Sequence, residues 1–541
     1  MTHSTTANEP PAANFHWWER GIIYQIYPRS FRDSNNDGIG DLEGIHEKLD
    51  YLQTLGVDAL WISPIYPSPM ADFGYDISNY TDIDPIFGTL KQFDALVGDL
   101  HRRGMKLLLD YVPNHSSDRH PWFIEARAAR TSAKRDWYIW RDPAAGGGAP
   151  NNWRSNFGGS AWEWDEGSRQ YYYHAFLKEQ PDLNWRNPEV RAAMLDVLRF
   201  WLDRGVDGFR VDVMHHIVKD HEFRDNPYNP QFAPGMSPYR ELLPIYSSDR
   251  PEVHETVEQM RAVIEEYDDR MLVGEIYLPV ERLVAYYGAS GRGAHLPFNF
   301  QLISLPWKAP EISAAMARYY ALLPANAWPN WVLGNHDKSR IATRVGRSQA
   351  RVAAMLLLTL RGTPTLYYGD ELGMRDVPIS GAQVRDPFEK NVPGLGLGRD
   401  PERTPMQWDA SVNAGFSKAT PWLPVADDYL DVNVTVENAD PESLLTLYKK
   451  LIALRRAEPP LAVGEIALLP ADGNLIAYLR KTAGRRLLII LNLGPQRKVF
   501  NLSELCSDAK LLLSTRSSRP ENRFSREIEL TGAEGVITEL L

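Results

Sequence analysis

The chain has 541 residues, too many for one ordinary core, so two or three domains are expected. Its composition, 43% hydrophobic and 24% charged, is that of a globular protein, and no apolar run approaches the roughly 20 residues of a membrane helix. A net charge of −11 without any basic tract argues against nucleic acid as a partner, and a single cysteine, Cys506, rules out an internal disulfide.

The opening Met1 to Pro11 has neither a basic start nor an apolar stretch. It reads as a short lead-in rather than a signal peptide, and a reducing, cytoplasmic setting is expected. Gly21 to Tyr27 predicts the first strand, followed by a helical stripe of Leu42, Ile45, Leu49, Leu52 and Leu55. Ala59 to Ser63 predicts a second strand, then a helix carrying Phe93, Leu96, Val97 and Leu100, then a strand at Lys106 to Asp110. Later strands are expected at Asp207 to Val213, Met271 to Ile276, Phe298 to Phe300, Asn330 to Gly334 and Thr363 to Tyr368. Eight strands alternating with helices are the order of a (β/α)8 TIM barrel.

Two stretches interrupt that rhythm. Between Tyr111 and Trp185 the chain is irregular and rich in Gly, Trp, Asn and Tyr, too long for a bare loop, so an inserted subdomain after strand 3 is expected. Glu371 to Ala410, dense in Gly, Pro and Arg, reads as a long loop after strand 8. After a helix at Leu444 to Arg456, the runs Leu475 to Arg480 and Leu487 to Leu491 flank the turn Thr482-Ala483-Gly484, the start of a C-terminal all-β sandwich. The expected division is a barrel at 1–110 and 186–462, an inserted subdomain at 111–185 and the sandwich at 463–541.

Three carboxylates close strand-like runs: Asp212 in Gly208-Phe-Arg-Val-Asp212, Glu275 in Leu272-Val-Gly-Glu275 and Asp337 in Val332-Leu-Gly-Asn-His-Asp337. In a β/α barrel the C-terminal strand ends carry the catalytic side chains. Acids converging there point to glycoside chemistry, which needs one carboxylate as nucleophile and another as acid/base. Arg210 beside Asp212 is expected to keep it ionised, and Gly274 before Glu275 to leave room for a ligand. A salt-bridged buried Asp212 explains one acid but not three.

Asp33-Ser-Asn-Asn-Asp-Gly-Ile-Gly-Asp41 offers oxygens at alternate positions, from Asp33, Asn35, Asp37, the Ile39 carbonyl and Asp41. The spacing matches the first nine positions of a calcium loop, with Gly38 at the sharp turn. Gly44 stands where an EF-hand has its bidentate glutamate, so this is a different kind of loop. Structural Ca²⁺ is the leading reading and an Asx-rich turn the second. No phosphate-cradling Gly-rich loop opens a helix after a strand, so no organic cofactor is expected.

Together these segments resemble the α-amylase family of glycoside hydrolases over nearly the whole chain. Asp110-Tyr-Val-Pro-Asn-His115, Gly208 to Asp212, Glu275 and Asn335-His-Asp337 resemble its four signature regions, in order. Gln180-Pro-Asp-Leu-Asn184, Trp17-Trp18, Ile23 to Phe31 and Arg403-Thr-Pro-Met-Gln-Trp408 are similar to its α-glucosidase and oligo-1,6-glucosidase branch. The resemblance implies Asp212 as nucleophile, Glu275 as acid/base and Asp337 as stabiliser of the distorted sugar. It implies His115, Arg210 and His336 as pocket lining, with Asp72 and Tyr75 capping the terminal sugar. In that branch the acid at Asp72 pairs with an arginine after strand 8, here Arg399, with Arg403 as competitor.

The implied activity is a retaining exo-α-glucosidase acting on short α-glucosides, with glucosyl transfer to hydroxyl acceptors, in a monomer or homodimer. An oligo-1,6-glucosidase or a disaccharide-isomerising relative is the alternative, and a non-catalytic transporter partner is a distant third. Val213 after the nucleophile leans to α-1,6 bonds, but Met214-His-His216 departs from the Ile-Asn usual beside it. Maltose-type substrates are favoured.

Overall fold

Seven of the eight β-branched, aromatic runs expected for the barrel become short parallel strands buried on both faces, as strands covered by helices must be. The structure is a computed structural model and describes residues 15–470, 473–516 and 519–541, so the expected lead-in lies outside the described residues. Strands β1 (Ile23–Ile26), β2 (Ala59–Ile62) and β3 (Lys106–Tyr111) pair in parallel, with Ile23 opposite Ala59 and Ala59 opposite Lys106. The chain then leaves the barrel. Strands β4 (Trp140–Arg141), β5 (Trp162–Asp165) and β6 (Gln170–Tyr173) form a small antiparallel sheet in the order β4-β6-β5, beside the helix Pro121–Ala128.

The barrel resumes with β7 (Gly208–Val211), β8 (Met271–Gly274), β9 (Leu296–Pro297), β10 (Asn330–Val332) and β11 (Thr363–Tyr367). Sheet order is β10-β11-β1-β2-β3-β7-β8-β9. The strands alternate their side chains between two cores. In β2, Ala59 and Trp61 join an interior cluster with Ile23, Leu108, Val273 and Val332. Leu60 and Ile62 point the other way, into the layer under the helices.

The sixth barrel strand sits two residues earlier than the expected Phe298 to Phe300. Pro297 is its last residue, and the Phe298 N–H still reaches the Gly274 carbonyl of β8 at 2.7 Å. The seam between β9 and β10 is closed by one side chain: Asn330 donates its amide to the Pro297 carbonyl and accepts the Asn299 N–H at 3.0 Å. Phe298 and Phe300 turn into the barrel interior instead. The stripe from Leu42 to Leu55 is buried as expected, but on two helices, Leu42–Glu47 and Leu49–Leu55, broken at Lys48. Gly56 stops the second by adopting φ 96°, a left-handed cap that other residues enter at a cost.

Strands β12 (Glu465–Leu469), β13 (Leu475–Thr482), β14 (Arg485–Asn492), β15 (Lys498–Asn501), β16 (Ala509–Ser514), β17 (Arg523–Phe524), β18 (Glu527–Leu530) and β19 (Gly535–Leu540) build the C-terminal domain. A six-stranded sheet, β12-β13-β14-β19-β16-β17, faces the β15–β18 pair across Leu488, Ile490, Phe500 and Ile528. Its other face, with Tyr478, Leu487 and Ile489, joins the main core of the barrel. The expected turn between β13 and β14 is made by Ala483 and Gly484, the glycine at φ 79°.

Candidate active site

Asp212 follows β7 directly, and its N–H continues the ladder to the Tyr111 carbonyl at 2.8 Å. Glu275 follows β8 in the same way, its N–H on the Val211 carbonyl at 3.0 Å. Arg210, on β7 and almost wholly buried, reaches both. Its Nη1 lies 2.7 Å from Asp212 Oδ1 and 2.6 Å from Asp110 Oδ1, and its Nη2 lies 2.7 Å from Glu275 Oε1. The second oxygen of Glu275 accepts the Val213 N–H at 2.8 Å. Val213 holds that N–H in place at φ 35°, a left-handed conformation strained for a β-branched residue. The strain is a local cost of aiming the acid.

Contrary to the expectation from sequence, the space at Gly274 is taken by a side chain and not left for a ligand. A Cβ there would stand 2.8 Å from Met214 Sδ, so the glycine makes room for the residue two after Asp212. The expected electrostatics are also modified. Burial pushes Asp212 up, and Arg210 only partly opposes it, because the same guanidinium serves three carboxylates. Glu275 is raised by burial, opposed by Arg210 and raised further by the neighbouring Asp337, and burial lifts Asp110 to about 6. All three acids sharing one cation are thus raised, the direction that favours a protonated general acid.

Asp337, on the loop after β10, behaves oppositely. Burial works against its charge, but Arg403 at 2.7 Å and Arg399 at 3.4 Å hold it well below the usual carboxylate range. His336 is itself kept neutral by burial, so the two guanidiniums do this work. The Asp337 N–H is fixed by Asn335 Oδ1 at 3.0 Å.

Behind these acids lies a chain of hydrogen bonds. Gln25 donates to His336 Nδ1 at 2.7 Å, which leaves the proton on Nε2, 2.7 Å from the Tyr75 hydroxyl. Tyr75 in turn donates to Asp110 Oδ2 at 3.0 Å, and its ring stacks on His336 at 5.4 Å with planes 1° apart. Trp61 gives Asp110 Oδ2 another N–H at 3.2 Å. Arg399 Nη2 meets Asp72 Oδ1 at 2.6 Å and Asp386 Oδ1 at 2.6 Å. Arg403, the competitor in the sequence, goes to Asp337 and the His336 carbonyl rather than to Asp72. His115 Nε2 sits 3.1 Å from the Gln180 amide, which also reaches Asp72 at 3.4 Å. All nine expected catalytic and sugar-binding residues are thus joined in one network.

Three contributors went unassigned in the sequence. Asp110 opens the segment Asp110 to His115, which assigns it no role of its own. Asp386 anchors Arg399, and its signal was the Asp386-Pro387 pair, an N-cap followed by proline. Lys219 gave no signal at all. Its buried ammonium bridges Asp182 at 2.5 Å and Asn114 at 2.6 Å, tying the subdomain to the barrel beside His115.

The loop from Asp33 to Asp41 is closed by its own N–H groups. Asp33 accepts from Asn36, Gly38 and the Ser417 hydroxyl, Asp37 from Ile39 at 2.8 Å, and Asp41 from Ser34 and Gly44. Asn35 Oδ1 accepts from Asp37 at 2.9 Å. Among the described residues no three His, Cys, Asp or Glu side chains converge as metal ligands. The donor set is all oxygen, and each carboxylate oxygen has a second lone pair, so the chemistry suits a hard cation while the side chains stand apart. No step of the reaction is routed through it.

Residues 25–464 match the family model of the α-amylase catalytic domain. A probable alpha-glucosidase of Rhizobium meliloti (strain 1021) is 42% identical over 510 residues, covering 92% of this chain and 93% of the relative. An oligo-1,6-glucosidase of Parageobacillus thermoglucosidasius is 40% identical over 558 residues, covering 95% and 97%. The crystal structure of the alpha-glucosyl transfer enzyme XgtA superposes with a TM-score of 0.92 at 37% identity, covering 98% of this chain and 100% of that one. A barrel with three acids at the ends of its strands, one arginine forked between two of them, and matches of this length leave one conclusion: the chain is an enzyme of the α-amylase family of glycoside hydrolases.

Proposed function

We propose that the protein is a retaining exo-α-glucosidase that releases terminal glucose from short α-glucosides and transfers it to hydroxyl acceptors as well as to water. The observation that carries this reading is the Arg210 fork, which sets Asp212 and Glu275 side by side at 2.7 Å from its two nitrogens. Carboxyls held on one guanidinium suit the separation of about 5–5.5 Å of a double-displacement glycosidase. In the first step Asp212 attacks the anomeric carbon while Glu275 gives its proton to the departing oxygen. In the second, Glu275 takes the proton of a water or alcohol that displaces Asp212, restoring the α configuration. Asp337, held ionised by Arg403 and Arg399, accepts hydrogen bonds from ring hydroxyls and favours the oxocarbenium-like transition state.

Exo action is supported by the Asp386–Arg399–Asp72 line, a charged wall behind the position of one sugar. Transfer is supported by the likeness to a glucosyl transfer enzyme, and maltose-type substrates by the alpha-glucosidase relatives together with Met214-His-His216. The test is a proton NMR time course on equal maltose and isomaltose. Maltose should decay first, with α-glucose appearing before β-glucose. Faster isomaltose loss would move the enzyme to α-1,6 bonds, and β-glucose first would overturn retention. We also propose that the Asp33–Asp41 loop takes structural Ca²⁺.

A further inference from the structure

A cavity of about 480 Å³ lies away from the carboxylates, between the inserted subdomain and the barrel loop that follows β7. The Lys219–Asp182 pair stands between it and the pocket at His115. Its charged lining is mostly positive, and most of those charges are already answered. Arg130 has Asp142 at 3.1 Å, Arg186 has Glu252 at 2.9 Å, and Asp220 is held by Arg224 and Arg250. Two guanidiniums are left over: among the described residues, neither Arg135 nor Arg141 has a carboxylate within 4.0 Å. Asp136, the acid of the lining nearest in sequence, takes hydrogen bonds from Asn184 instead.

Both arginines lie flat on aromatic rings. Arg135 stands 3.4 Å from the ring centroid of Trp140, and Arg141 3.8 Å from that of Phe223. Arg135 spends its fork on the Ala126 carbonyl and Gln170. Arg141 spends only one N–H, on the Trp140 carbonyl, and keeps the rest of its fork. Phe223, which backs it, is held at φ 54°, a left-handed conformation strained for an aromatic residue. Its ring packs into the subdomain beside Trp153 at 5.6 Å, and Trp153 Nε1 donates to the Arg224 carbonyl next to it. The strained residue therefore both clamps the loop to the subdomain and presents the guanidinium.

We propose that this cavity is a second, non-catalytic site for a small phosphorylated sugar. The free part of the Arg141 fork matches phosphate oxygens, Tyr138 and Trp185 complete an aromatic lining, and the volume admits a monosaccharide phosphate. The proposal is independent of which glucoside linkage the enzyme cleaves.

Isothermal titration of the full chain with glucose 6-phosphate, inorganic phosphate and glucose tests it, with the catalytic pocket saturated by a tight iminosugar inhibitor. Glucose 6-phosphate should bind with one-to-one stoichiometry despite the inhibitor, glucose should not, and Arg141→Ala should weaken binding at least tenfold. Arg141→Ala should leave kcat/KM on maltose unchanged without phosphate present, which shows that the variant is folded. Binding of inorganic phosphate as tight as that of glucose 6-phosphate would reduce the site to a plain anion site and overturn the sugar assignment. No binding to the inhibited enzyme, or equal binding by Arg141→Ala, would overturn the site altogether.

Discussion

At the scale of single residues, the chemistry depends on one guanidinium that cannot neutralise all its partners. Arg210 faces Asp110, Asp212 and Glu275, so burial outweighs it and raises the acids. Glu275→Gln removes the proposed proton donor while keeping the carboxyl's shape, with one oxygen left to accept from either Arg210 or the Val213 N–H. Hydrolysis of maltose should fall by about 10²–10⁴-fold. With α-glucosyl fluoride, whose leaving group needs no proton, the first step should survive and give a burst of fluoride followed by slow turnover. Undiminished maltose hydrolysis would remove Glu275 from its role.

At the scale of elements, the subdomain is held to the barrel by a buried charge pair rather than by a shared sheet. Lys219 and Asp182 lie 2.5 Å apart with side chains almost wholly enclosed. Lys219→Met leaves Asp182 without its counter-ion, and breaking one side of such a pair costs about 3–5 kcal/mol. The urea midpoint should drop accordingly, while adding Asp182→Asn to the same chain should recover part of the loss. Additive losses would show that the two groups act separately. The Asp33–Asp41 loop is the second element whose stability has a specific handle. It is wedged against the barrel, since a Cβ on Gly38 would stand 2.2 Å from the Thr420 carbonyl. A bound cation stabilises by about 2.7 kcal/mol at a hundred times its dissociation constant. A chelator should therefore lower the melting temperature and calcium restore it. Identical melting with and without chelator would leave an Asx-rich turn.

At the scale of the whole molecule, two sets of buried groups oppose each other in their response to pH. His115, His174 and His215 are pushed down to about 4 by burial, so below their unfolded value of about 6.5 the unfolded chain binds more protons. Stability from these groups is lost as pH falls from about 6.5 towards 4. Asp370 and Glu437 are pushed up to about 7 by burial, so between about 4 and 7 the folded chain binds more protons. Stability from these groups is lost as pH rises through that window and is gone above it. The histidines no longer compensate above 6.5. The melting temperature should therefore peak near pH 6.5 and fall on both sides. A melting temperature still rising from pH 6 to pH 8 would show that the acids titrate normally.

The sequence by itself determined the barrel, because β-branched runs and leucine stripes at fixed periods bury the same faces in any context. It also placed the three acids at strand ends, since those ends are readable from the runs. The tertiary structure alone decided which arginine meets Asp72, because Arg399 and Arg403 lie four residues apart on one irregular loop and only Asp386 orients the first. It alone moved the sixth strand to Leu296–Pro297 and closed its seam with Asn330, a contact 33 residues away in the chain. It alone assigned Gly274 to Met214, placed Lys219 against Asp182, and divided one cation among three acids. Local periodicity reports what a residue buries, whereas charge partners and close approaches are set by segments that the chain brings together only on folding.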